Sequence, residues 1–133
     1  MAETVVLDSS AILTVLYGEP GSAPVIEAMA NVETLVLVNS VNLCEVVTKL
    51  VLGGADAQQI TKSLRPFLEH AVEFDSQQAI YAGELARLTR PFGLSLGDRA
   101  CLALAASRGA TAWTTDTDWK KLKVGVKIHL LRG

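Results

Sequence analysis

Apolar positions along this chain follow two rhythms that alternate. Thr4-Val5-Val6-Leu7 is an apolar run with no polar alternation, the pattern of a strand covered on both faces. Asp8-Ser9-Ser10 then supplies cap chemistry for a helix through about Tyr17, and Gly18-Glu19-Pro20-Gly21 turns the chain. A second helix is predicted from about Ser22 to Ala30, and Leu35-Val36-Leu37-Val38 reads as a second buried strand. After Ser40, expected as a cap, Leu43, Val46, Val47, Leu50 and Val51 recur at three- and four-residue spacing. They predict a helix from Val41 to about Leu52, stopped by Gly53-Gly54. Asp56 caps the next helix, through about Glu69, with Pro66 expected to bend it.

Ala71-Val72-Glu73-Phe74 predicts a short strand, and a helix from about Gln77 to Arg90 ends before Pro91. Ser95 caps a helix over Leu96 to Ser107 that Gly109 closes, and Thr111-Ala112-Trp113-Thr114 is a fourth strand. A helical turn over about Thr117 to Leu122 and a last strand from Val126 to Leu131 complete the chain. Five short strands with intervening helices predict an α/β fold, a three-layer α/β/α sandwich on a short, mostly parallel five-stranded sheet. One domain is expected over residues 1–133.

With 50% hydrophobic and 20% charged residues, the chain can build a real core. Its mean hydropathy of +0.32 is high for a small soluble domain. The excess is expected to be apolar surface covered by a partner subunit, as in a homodimer. No apolar run approaches the ~18 residues of a membrane span, and the first residues lack a basic leader, so a cytoplasmic location is expected. Cys44 and Cys101 each lie inside an apolar helical pattern and read as reduced core residues, not a bridge or a metal pair. The net charge of -2 argues at first against nucleic acid. Fourteen acids oppose twelve Lys and Arg, however, so neutralising four acids with metal would leave a mildly basic surface.

Those four acids carry the candidate chemistry. Asp8 follows the first strand, on the side where parallel sheets bind ligands, although a plain N-cap also accounts for it. Asp116 follows the fourth strand in Thr114-Thr115-Asp116-Thr117-Asp118-Trp119, with Asp118 an alternative two residues on. Asp98 lies three residues after Ser95, as in a capping box, and Gly97 beside it permits close approach of a ligand or another backbone. Glu45 sits one turn into its helix among Leu43, Cys44, Val46 and Val47, too deep for a cap; a salt bridge to Lys49 at i+4 is the ordinary explanation. Four carboxylates in one pocket repel each other unless a cation intervenes, and Mg²⁺ or Mn²⁺ prefers such oxygen ligands. His70 and His129 lack zinc spacing and read as structural. No Gly-x-Gly-x-x-Gly, Walker or Gly-x-Ser-x-Gly run is present, so dinucleotide, P-loop and serine-hydrolase readings fail. Carboxylate-held metal without a cofactor cradle suits phosphodiester hydrolysis.

In four places, spread over essentially its whole length, the chain resembles the PIN-domain ribonucleases, specifically the VapC-type toxins of toxin–antitoxin pairs. The four are Val6-Leu7-Asp8-Ser9-Ser10-Ala11, Val41-Asn42-Leu43-Cys44-Glu45-Val46, Leu94-Ser95-Leu96-Gly97-Asp98-Arg99 and Thr114-Thr115-Asp116-Thr117-Asp118-Trp119. The family more often has Ala where this chain has Gly97. The resemblance implies a Mg²⁺-dependent endoribonuclease acting on RNA, a homodimer, and a cognate antitoxin that blocks the site. It implies Asp8, Glu45, Asp98 and Asp116 as the catalytic, metal-holding acids and leaves Asp118 undecided. Ser10 and Thr115 are expected to support them through their hydroxyls. Arg87, Arg90 and Arg99 are candidates for RNA backbone contacts. The helix pair Val41–Leu52 and Asp56–Glu69 is expected to line part of an apolar groove for the antitoxin.

Two rivals stand beside this reading. A receiver-like domain would be phosphorylated on an aspartate such as Asp75, but it wants paired acids after the first strand and a lysine after the last, where this chain ends in Arg132-Gly133. A degenerate PIN module would bind RNA or a partner without cleaving.

Overall fold

The central strand of the sheet is the first one in the chain. The computed structural model describes residues 3–132. β1 (Glu3–Leu7) lies between β2 (Thr34–Asn39) and β4 (Thr111–Thr114); β3 (Ala71–Val72) flanks β2, and β5 (Lys127–Leu130) flanks β4. All four pairings are parallel, with Val5 opposite both Val36 and Thr111. Parallel pairing requires crossovers, and the helices provide them: α1 (Ser9–Leu16) and α2 (Ser22–Ala30) after β1, α3 (Ser40–Leu52) and α4 (Ala57–Leu68) after β2. α5 (Ser76–Glu84), α6 (Ala86–Thr89) and α7 (Leu96–Arg108) join β3 to β4.

Alternate residues of each strand feed two separate cores. Val5, Leu7, Val36, Val38 and Trp113 pack with Ile12, Val25, Val46 and Phe67 on one face. Val6, Leu37 and Ala112 pack with Cys101, Leu102, Leu104 and Trp119 on the other. A sheet buried on both faces explains why β1 and β2 read as unbroken apolar runs. This is the expected three-layer α/β/α sandwich.

Local signals account for most element ends. Asp56 and Gln59 close a reciprocal capping box at α4, and that helix runs to Leu68 with Pro66 inside it. The αL residue Gly109 ends α7. Three expectations are corrected. Ser40 is not the cap of α3: Asn39 is, accepting from Val41 N–H at 2.9 Å, while Ser40 Oγ accepts from Phe74 N–H. That bond helps explain why β3 stops at Val72 instead of reaching Phe74, since the chain leaves the sheet to meet α3. The helix expected over Gln77 to Arg90 begins at Ser76 and breaks at Leu85 into α5, α6 and a 3₁₀ turn, Arg90–Phe92. Thr89 Oγ1 bonds back to Leu85 carbonyl at 2.9 Å, and Pro91 lies within the turn.

Candidate active site

Four elements bring the four acids to the lining of one cavity of about 690 Å³ at the C-terminal end of the sheet. Asp8 ends β1 and caps α1, its Oδ1 accepting from Ala11 N–H at 2.8 Å and from Ser10 Oγ at 2.6 Å. Cap and site are therefore the same residue. Only 4% of Asp8 is exposed, and burial pushes its carboxyl up to about 6. Hydrogen bonds from Ser10, Thr114 and Ala11 oppose that rise, and the charge of Asp98 adds to it.

Asp98 closes the capping box with Ser95 at the start of α7, its Oδ2 accepting from Ser95 N–H at 3.0 Å. Burial raises its carboxyl above the usual range; the Ser95 bonds oppose this, and Glu45 and Asp116 reinforce it. Asp116 follows β4, caps the 3₁₀ turn Thr117–Lys121 and is exposed. Glu45 does not pair with Lys49: its Oε1 accepts from Ser9 Oγ and from Asn42 Nδ2 instead. Cys44, expected in the core, is exposed, but Cys101 is buried there. Its fully buried thiol is pushed well up, first by burial and then by the charges of Asp8, Asp98 and Glu45.

A buried parallel sheet with four acids around one cavity at its C-terminal edge is matched at the level of sequence. The sequence model of the PIN domain covers residues 5–125. The chain belongs to the PIN domain family. No curated protein matches it in sequence. Solved structures share the fold at low identity. A chain of the VapBC2 complex of Rickettsia felis, bound to a promoter DNA fragment, superposes with a TM-score of 0.70 at 19% identity, over 96% of this chain and 98% of that one. VapBC-5 of Mycobacterium tuberculosis gives 0.61 at 22% identity, over 98% of each chain. VapC20 of Mycobacterium tuberculosis, described as a sarcin–ricin loop cleaving toxin, gives 0.72 at 16% identity, over 88% of this chain and 93% of that one.

Around the acids of this PIN domain, hydroxyls and amides set the geometry. Ser10 Oγ, besides serving Asp8, accepts from Thr115 N–H at 3.0 Å. Thr115 thus contributes its backbone, whereas the hydroxyl that holds Asp116 N–H, at 3.0 Å, belongs to buried Thr114. Sequence reasoning missed Thr114, Ser9 and Asn42. Asn42 had a legible signal, since it precedes Glu45 by three residues and shares its helix face. Asp118 pairs with Lys121 at 3.7 Å and does not line the cavity. Arg87 and Arg90 are exposed away from it, and Arg99 donates to Ala82 carbonyl at 2.9 Å, tying α7 to α5. The cation that does line the cavity is Lys49.

The donor set fits a hard divalent cation. It consists of carboxylate and hydroxyl oxygens, and among the described residues no ion pair reaches Asp8, Glu45, Asp98 or Asp116. Burial, with a smaller contribution from neighbouring acids, raises the carboxyls of Asp8 and Asp98, and a bound cation would offset both effects. Among the described residues, no three Asp, Glu, His or Cys side chains are already gathered as a metal cluster, so holding an ion requires side-chain closure. No helix among them is long and apolar enough to cross a membrane.

Proposed function

We propose that this PIN domain is a Mg²⁺- or Mn²⁺-dependent endoribonuclease toxin of VapC type, restrained by a cognate antitoxin and acting as a cytoplasmic homodimer. The observation that carries the proposal is the set of four carboxylates, from four elements, around one cavity, none of them in an ion pair among the described residues. The fold shared with toxin–antitoxin complexes, and with a toxin described as cleaving the sarcin–ricin loop, supports it.

Asp8, Asp98 and Asp116, with Glu45, would hold the ion. When bound, it supplies a water of lowered pKa and positive charge against the scissile phosphodiester. The chain's own residues prepare that arrangement. Ser10 and Ala11 N–H fix Asp8, Ser95 fixes Asp98, and Thr114 anchors the backbone at Asp116. Lys49 draws the anionic RNA backbone toward the acids, offsetting their repulsion. The same cavity has an apolar wall that includes Leu13, Val41, Leu52 and Leu96, and Leu52 is 82% exposed. An apolar segment of the antitoxin covers this wall and so shields the acids. Exposed Ile80, Leu88 and Phe92 offer apolar surface for the second subunit.

The lack of a preassembled cluster among the described residues favours one rival, a PIN module that binds without cleaving. Purified protein, freed of any co-expressed partner, should cut RNA with Mg²⁺, lose that activity in chelator, and lose it by orders of magnitude in Asp8→Asn. Cleavage that persists in Asp8→Asn, or its absence in the metal-supplemented wild type, rejects the enzyme reading.

A further inference from the structure

Glu45 occupies a place that only a residue without a Cβ at position 97 leaves open. A Cβ built on Gly97 would overlap both oxygens of the Glu45 carboxylate. The backbone does not call for glycine there, because Gly97 lies in the first turn of α7 and is not one of the positive-φ glycines. Alanine is the better helix former at such a position. The glycine therefore serves close approach, and the group that approaches is the carboxylate.

The rest of the enclosure is polar and directed. Glu45 Oε1 accepts from Ser9 Oγ and, at 3.2 Å, from Asn42 Nδ2. The buried Asn42 amide also donates to Ser9 Oγ at 3.1 Å and to Gly97 carbonyl at 3.1 Å. Asn42 Oδ1 has no hydrogen-bond partner among the described residues. Turning the amide over would set that oxygen against the oxygens of Glu45 and Gly97, so its orientation is fixed. Oε1 is thus committed to the protein, while Oε2 has no hydrogen-bond partner among the described residues. One oxygen orients the carboxylate and the other is free to ligate.

We infer that Gly97, Asn42 and Ser9 are positioning residues that seat the Glu45 carboxylate, and that this seat sets how tightly the cavity takes a divalent cation. The inference rests on the metal-dependent reading above and deepens it. It applies to this chain's own arrangement: with alanine at position 97, the glutamate must lie elsewhere.

Gly97→Ala separates a seat from a merely structural role. The overlapping atoms are the far end of a flexible side chain, so the fold yields cheaply and the carboxylate is displaced. The probe is Mn²⁺, titrated into the full-length protein, with the free ion measured by electron paramagnetic resonance and the metal-free melting temperature measured alongside. Gly97→Ala should weaken Mn²⁺ binding about tenfold while its metal-free melting temperature stays the same or rises. In a Glu45→Gln background the same change should alter Mn²⁺ affinity less than about twofold, since its effect runs through Glu45. Ser9→Ala, which adds no bulk, should weaken binding in the wild type and not in Glu45→Gln, and it decides the matter if Gly97→Ala does not fold. Wild type that binds Mn²⁺, with Glu45→Gln binding more weakly but Gly97→Ala unchanged or equally harmful in both backgrounds, overturns the seat alone. Wild type that binds no Mn²⁺, or Glu45→Gln that binds as tightly, overturns the metal reading and the seat together.

Discussion

Ser10 donates to Asp8 Oδ1 at 2.6 Å and, through the same oxygen, accepts from Thr115 N–H at 3.0 Å. One hydroxyl thereby fixes the buried acid at the end of β1 and locks the segment after β4 beside it. It extends the register that β1 and β4 already share, in which Asp8 N–H donates to Trp113 carbonyl at 3.1 Å.

Ser10→Ala is therefore expected to act on site and fold together. The lost bond leaves Thr115 N–H and part of the Asp8 carboxylate unsatisfied, which should lower stability by about 1–2 kcal/mol. Metal affinity should fall about tenfold or more, as for other groups that orient ligands. A denaturant titration and a Mg²⁺ titration check the two effects; unchanged values in both would show that Ser10 is incidental.

Asp8 makes the metal-free protein sensitive to pH in a defined direction. Its carboxyl, ordinarily near 3.8, stands at about 6 in the fold because burial opposes its charge. The folded state then binds the proton more tightly than the unfolded state does, so stability is fullest below about 4 and is lost as pH rises through about 6. The full difference is worth about 3 kcal/mol. Asp8→Asn should flatten this dependence and stabilise the metal-free protein at pH 7. Mg²⁺ should raise the melting temperature more at pH 7 than at pH 5, because at the lower pH it must displace a proton. Melting curves in chelator from pH 4.5 to 7.5, compared between the two proteins, give the result; a parallel response would place the titrating group elsewhere.

Asn39 was not legible as a joint of the fold, yet it links three helices. Its Oδ1 caps α3, and its Nδ2 donates to Gln78 Oε1 on α5 at 2.8 Å and to Ala100 carbonyl on α7 at 3.1 Å. Gln78 in turn donates to Glu73 carbonyl at 2.9 Å. Asn39→Ala strands the buried oxygens of Gln78 and Ala100 and removes the α3 cap, and should cost about 2–4 kcal/mol. Chemical denaturation measures it; a loss under about 0.5 kcal/mol would mean that the network carries no weight.

What the sequence revealed and what it hid divide along a physical line. Apolar rhythm and cap chemistry located β1, β2, α3, α4 and α7, because those signals lie within a few residues of the elements they define. The early end of β3 goes with a bond between residues far apart in the chain, Ser40 and Phe74, which no local window contains, whereas the split at Leu85 goes with the local Thr89 bond and Pro91, which apolar rhythm does not register. Asp8, Asp98 and Asp116 were legible because each follows a strand or opens a helix whose position was readable, and Glu45 because it stands one turn inside a helix among apolar neighbours. Of the hydroxyls that attend them, Ser10 was legible and Ser9 and Thr114 were not. Ser10 and Thr114 serve Asp8 and the Asp116 N–H two residues away, while the packing of α1 on α3 and β4 sets Ser9 against Glu45 and Thr115 N–H against Ser10.

The cations separate by the same kind of placement, and salt dependence measures the difference. Lys49 lines the acid cavity and has no carboxylate partner among the described residues. Arg99 is spent on Ala82 carbonyl at 2.9 Å. If Lys49 meets an RNA phosphate, Lys49→Ala should raise KM several-fold, leave the melting temperature in place, and reduce the salt slope of RNA binding by about one. Arg99→Ala should lower stability by about 1–2 kcal/mol through the freed carbonyl, with the salt slope unchanged. Binding of a short RNA to the Asp8→Asn protein across a range of salt concentrations reads the slopes without cleavage. A reduced slope in Arg99→Ala, with none in Lys49→Ala, would move the RNA path from the α3 side of the cavity to the surface where α7 meets α5.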